Sequence, residues 1–147
     1  MVNLVFLVFC IIPHFLLAQA DTTSKIWTSA DIRSEGMLPY YPAKHCDSLP
    51  IGSKAKRDCA DAAFLEFFYG HMPGASPDFS GRIWISFVIE TNGSLSLFEV
   101  KAPQANATLK KDLLELLETL PNGWAPAQVK GEKVRFRFKL TSYLHFR

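Results

Sequence analysis

Histidine, cysteine and a cluster of cations are the side chains of this chain with the most chemical scope. Of its four histidines, His14 lies in an apolar N-terminal stretch, His45 and His71 lie in loop-like sequence, and His145 is close to the C-terminus. None has the spacing of a closed zinc site. No Ser, Cys or Asp stands on a Gly-flanked strand-to-helix turn, where a nucleophile is held. With eight glycines in 147 residues, no phosphate-cradling loop occurs. Asp112, Glu115 and Glu118 sit together on the polar side of a helical stretch and read as a solvated face. No catalytic residue, cofactor or metal is therefore expected, and the chain reads as a binding protein rather than an enzyme. The formal net charge of +2, with no long basic run, argues against a nucleic-acid partner.

The cysteines point to an oxidising compartment. Residues 1–20 carry no Asp, Glu, Lys or Arg, and Leu4 to Leu17 is nearly all apolar. Ala18-Gln19-Ala20 then gives a small-x-small step before Asp21. That layout is a cleaved export signal, and the apolar run is short for a membrane span. The alternative is an inner-membrane anchor over residues 4–18. Loss of the signal removes Cys10 and leaves Cys46 and Cys59. An even pair in an exported chain reads as a disulfide; two buried thiols are the alternative.

The elements follow from periodicity. Residues 21–45 read as an extended leader in which Tyr40 and Tyr41 pack on the domain formed by 46–147. A helix is expected from about Lys54 to Tyr69. Ala55, Cys59, Ala62, Ala63 and Phe67 recur at helical spacing, and Phe64 and Phe68 add a second row. Gly70 and Pro73 stop it. Ile83, Ile85, Phe87 and Ile89 then alternate with Arg82, Trp84, Ser86, Val88 and Glu90, the pattern of a half-buried strand. Asn92-Gly93 is a hairpin turn. The return strand, Leu95 to Lys101, changes phase, which requires a β-bulge near Leu97. A second helix spans about Ala107 to Leu120, with Asn106 as its N-cap and Leu109, Leu113, Leu116, Leu117 and Leu120 as one stripe. Both Asn-x-Ser/Thr tripeptides, at Asn92 and Asn106, are explained by these local roles.

The last strand runs from Lys133 to about Thr141. Val134, Phe136, Phe138 and Leu140 face the core. Arg135, Arg137 and Lys139 form a basic row on the other face. Charge on an edge strand discourages aggregation, and the same edge can accept an extended peptide through backbone hydrogen bonds. The expected fold is α+β: a small antiparallel three-stranded sheet with two helices packed on one face.

From Gly81 to Leu140 this order of features resembles the TonB C-terminal domain. The residues that carry the likeness are Gly81 before an alternating strand, the Asn92-Gly93 turn, and a leucine-rich helix ending in Leu120-Pro121. Trp124-Ala125-Pro126-Ala127 follows, then Gly131 and Val134. Met37-Leu38-Pro39-Tyr40-Tyr41-Pro42 ahead of the Cys46, Cys59 pair resembles stand-alone members of that family. The resemblance implies a periplasmic module whose last strand, Val134 to Leu140, pairs with the N-terminal peptide of an outer-membrane TonB-dependent transporter during energy-coupled uptake. Inner-membrane motor proteins would be partners if the N-terminal segment is retained. The chain departs from a full transducer in lacking a basic start and a long Pro-rich linker. Its leader, even fully stretched, reaches roughly 80 to 90 Å. The alternative is an envelope structural or assembly protein of the same fold without motor coupling.

Overall fold

The computed structural model describes residues 25–32, 36–72 and 79–145. The expected signal, residues 1–20 with Cys10 and His14, lies outside the described residues. The fold is α+β, with two α-helices and a six-stranded, mainly antiparallel sheet. The expectation of three strands is thereby corrected. The three long strands are present, and three short ones join them.

The strands are β1 (Ile26–Trp27), β2 (Gly36–Met37), β3 (Ser80–Ile89), β4 (Leu95–Lys101), β5 (Ala127–Val129) and β6 (Glu132–His145). Their order across the sheet is β2-β5-β6-β3-β4, with β1 also pairing to β6. The backbone of the arrangement is the antiparallel ladder of β3 with β6, which runs from Ser80↔His145 to Ile89↔Phe136. The expected leader therefore belongs to the sheet. β1 pairs in parallel with Arg135 and Phe136, β2 pairs with β5, and Tyr40 bridges to Ala125.

Helix α1 (Lys54–Gly70) starts at Ser53, whose Oγ accepts from Lys56 N at 3.1 Å. Its core-facing row is Ala60, Phe64 and Phe68, all buried. The longer row read from sequence is half-covered at Cys59, Ala63 and Phe67 and exposed at Ala55 and Ala62. Helix α2 (Ala107–Glu118) starts at Asn106, whose Oδ1 accepts from Leu109 N at 2.8 Å. Its leucine stripe is buried as expected, Leu120 beyond its end included. Side chains of both helices join the inner face of the sheet in one core.

An aromatic cluster forms the middle of that core. Trp124, 3 % exposed, has its ring centroid 5.3 Å from Tyr41, 5.5 Å from Phe87, 5.7 Å from Phe64 and 5.8 Å from Phe138. Its backbone is fixed from the hairpin between β3 and β4. Gly123 N and Trp124 N each donate to Gly93 O at 3.1 Å. Gly93 has φ +82°, and a Cβ there would overlap the Trp124 carbonyl oxygen. Asn92-Gly93 is thus both a turn and the clamp on the central tryptophan. Cys46, at the end of a short 3-10 helix (Lys44–Cys46), forms a disulfide with Cys59 of α1.

Gly93→Ala should lower unfolding stability by at least about 3 kcal/mol, since a left-handed φ costs roughly 1–2 kcal/mol and the close approach adds to it. Gly52 has the same φ of +82° with open space around it, so Gly52→Ala should show only the backbone part. Urea unfolding of the two variants checks this; equal losses would mean the contact with Trp124 contributes nothing.

Candidate functional site: a half-open strand edge

The predicted docking strand is β6, and its two sides differ. One side pairs with β3 from Phe136 to His145. The other side carries β5 at Glu132–Val134 and β1 at Arg135–Phe136. Among the described residues, no strand pairs with that second side over Arg137–Leu144. The sequence expectation of an edge over Val134 to Leu140 therefore divides. Val134, Arg135 and Phe136 are enclosed by the chain's own strands. Arg137, Phe138, Lys139 and Leu140 lie on the open part, which continues to Leu144.

Local chemistry explains both the closure and where it stops. Lys130 (φ 52°) and Gly131 (φ 84°) make the two-residue turn that folds β5 onto β6. β1 ends after Trp27 because Thr28 N and Thr28 Oγ both donate to Asp31 Oδ2, at 2.8 and 2.7 Å, turning the chain off the sheet. The opposite end of the sheet, β4, is a poorer template. Leu97 has φ +50°, and the pairing slips between Ser86↔Glu99 and Val88↔Ser96. This is the bulge expected from the phase change, and a bulge blunts an edge.

The parity read from sequence holds on β6, but the basic row is not uniform. Arg135 is only 8 % exposed. Its Nε donates to Glu90 Oε2 at 2.7 Å and its Nη2 to Glu90 Oε1 at 3.0 Å. Ser96 Oγ donates to the same carboxylate. Arg135 is therefore a structural partner of Glu90, across the end of the ladder. Arg137 and Lys139 remain on the solvent face, opposite Val88 and Ser86.

Beside the start of the open edge lies a groove of about 370 Å³ between β6 and α1. Phe136 and Phe138 line it from the strand, Leu38 and Pro39 from the leader, and Arg57 and Asp61 from the helix. Sequence reading missed Arg57 and Asp61, because their spacing of four on α1 resembles any exposed helical pair. Arg57 Nε is buried without a hydrogen-bond partner among the described residues. Partial desolvation pushes the Asp61 carboxyl above the usual range, against the pull of Arg57. The groove borders the open edge over Arg137–Lys139, where a paired chain would bring its side chains beside it.

Of the other residues singled out from sequence, His71 stacks on Phe67 with Nδ1 2.8 Å from its carbonyl oxygen. The possible ligand atoms of His45, Cys46 and Cys59 lie within 4.8 Å of one another, but the disulfide engages both sulfurs. Among the described residues no helix is long and apolar enough to cross a membrane.

The hydrogen bonds from Arg135 hold the Glu90 carboxyl below the usual glutamate range. A depressed acid stabilises the fold fully above its unfolded pKa and loses that contribution as pH falls through the folded one. Stability should thus drop on acidification below the usual glutamate range, and Glu90→Gln should flatten that drop in denaturant midpoints measured against pH. Arg135→Ala, which strands a carboxylate in a pair whose side chains are 9 % and 21 % exposed, should cost about 3 kcal/mol at neutral pH.

Compared with known protein families, curated proteins and solved structures, the chain matches none.

Proposed function

We propose that this chain is a TonB-like periplasmic binding module, which docks the N-terminal peptide of an outer-membrane transporter by strand addition in energy-coupled transport. The reading combines the sequence resemblance over Gly81 to Leu140 with one structural observation. The side of β6 over Arg137–Leu144 has no strand partner among the described residues and at its start adjoins a groove of mixed apolar and charged lining. Strand addition needs such a row of backbone groups for affinity and a groove for alternate side chains.

The carriers of binding under this proposal are the backbone of Arg137 to Leu144, with Phe138, Leu38 and Pro39 receiving inward side chains. Arg137 and Lys139 lie on the solvent face, where they meet outward side chains. The second reading, an envelope assembly protein with the same fold, draws on the closure of Val134–Phe136 by β1 and β5, which shortens the edge open to a partner.

Amide chemical-shift titration with synthetic transporter N-terminal peptides tests the choice. Docking predicts saturable shifts at Arg137–Leu144 and little change along β4. The same peptide with alternate backbone nitrogens methylated should lose most of its affinity, since it keeps its side chains but not its donors. Absence of binding, or full retention after methylation, rejects strand addition.

A further inference from the structure

The solvent face of the sheet carries a second feature, which shares Arg137, Lys139, Leu140 and Thr141 of β6 with the open edge and reaches across β3 to β4. A basin of about 560 Å³ lies over the middle of β4, β3 and β6. Trp84 forms its apolar wall and is 38 % exposed. Lys101 of β4 pairs directly across from Trp84, and Thr141 of β6 stands on the other side. Lys139 pairs with Ser86 in the next rung, and Arg137 with Val88 in the one after. The lining thus holds three cations against one carboxylate, Glu99. That carboxylate is already engaged, with Lys101 Nζ at 3.0 Å and Ser86 Oγ donating at 3.3 Å. Among the described residues, Arg137 and Lys139 form no ion pair. Arg82 adds a fourth cation at the rim, its Cζ 5.9 Å from the Trp84 ring centroid.

We propose that this basin binds an anionic glycan, with one acidic sugar ring packed on Trp84 and its carboxylate or phosphate held by Lys139, Arg137 and Lys101. The volume is that of a small-molecule site rather than of a protein interface. β3 is paired along both sides here, so it has no backbone donors to offer, and an extended acidic peptide would gain nothing from its main chain. A single-stranded nucleic acid needs a run of stacking platforms along a basic track. This basin has one aromatic ring in its lining, Trp84, and the exposed Tyr143 further along β6 lies outside it. A sugar ring needs only one apolar platform, and a cation beside it selects an acidic sugar over a neutral one.

Calorimetric titration of the full chain with an oligogalacturonate, which bears a carboxylate on every ring, tests this proposal. The expected result is saturable binding that weakens with salt. Lys101→Glu removes a cation and releases Glu99, and should weaken binding at least about ten-fold, a difference of about 1.4 kcal/mol. Trp84→Ala should weaken it as well, and Lys101→Glu keeps the test valid if Trp84→Ala does not fold. Equal binding of a neutral oligosaccharide overturns the proposal. So does poly-glutamate or oligothymidylate binding as tightly as the oligogalacturonate, or an unchanged affinity in Lys101→Glu. Lys101 lies on the strand farthest from the open side of β6, so failure here leaves strand docking untouched.

Discussion

Everything distinctive about this sheet follows from the uninterrupted antiparallel ladder between β3 and β6. Pairing every residue from Ser80 to Ile89 leaves no freedom in register. A slip of one position would put Phe87 and Phe138, whose rings stack at 5.0 Å, on opposite faces of the sheet. The same ladder decides which side of β6 is closed by its own hairpin partner. It also sets Lys139 across from Ser86 and Arg137 across from Val88, and brings Arg135 to Glu90.

Seen from that ladder, the two unlike surfaces of β6 have separate origins. Its open side is a matter of unpaired backbone, and results from β1 stopping after two residues. Its solvent face is a matter of side chains, and results from strict alternation. Arg135 belongs to neither surface. It stands on the solvent-facing parity, yet the end of β3 brings Glu90 within bidentate reach, and a guanidinium forks onto a carboxylate in a way that lysine cannot. Three basic residues of one repeating pattern thus have different work, set by what the neighbouring strand presents at each rung.

The long elements were legible because each buries enough surface to need a period. The leucine stripe of α2, the Asn106 cap and the phase change at Leu97 all appear where the sequence places them, while the alternation of β3 holds from Arg82 to Ile85 and gives way to continuous burial from Ser86 to Ile89. The short strands were not legible. Ile26–Trp27, Gly36–Met37 and Ala127–Val129 have two or three residues each, too few to show a period. Their pairing is decided by long-range partners. Gly131 is the one local sign of the turn into β6, and a single glycine does not reveal a three-residue strand before it. The candidate site suffered most from this, since the extent of an open edge depends on the strands that close it. Of the seven positions expected on that edge, Val134, Arg135 and Phe136 were lost to closure, while the open part extended past Leu140.

The disulfide adds a mechanical consequence. β1 and β2 precede Cys46, and Cys46 is covalently tied to α1 through Cys59. Tension entering from upstream would load these two-residue strands first, and next the Tyr40 bridge to Ala125 and the Tyr41 ring against Trp124. Past that point the sulfur bridge would carry the load from Cys46 straight into α1, bypassing the chain between Cys46 and Cys59.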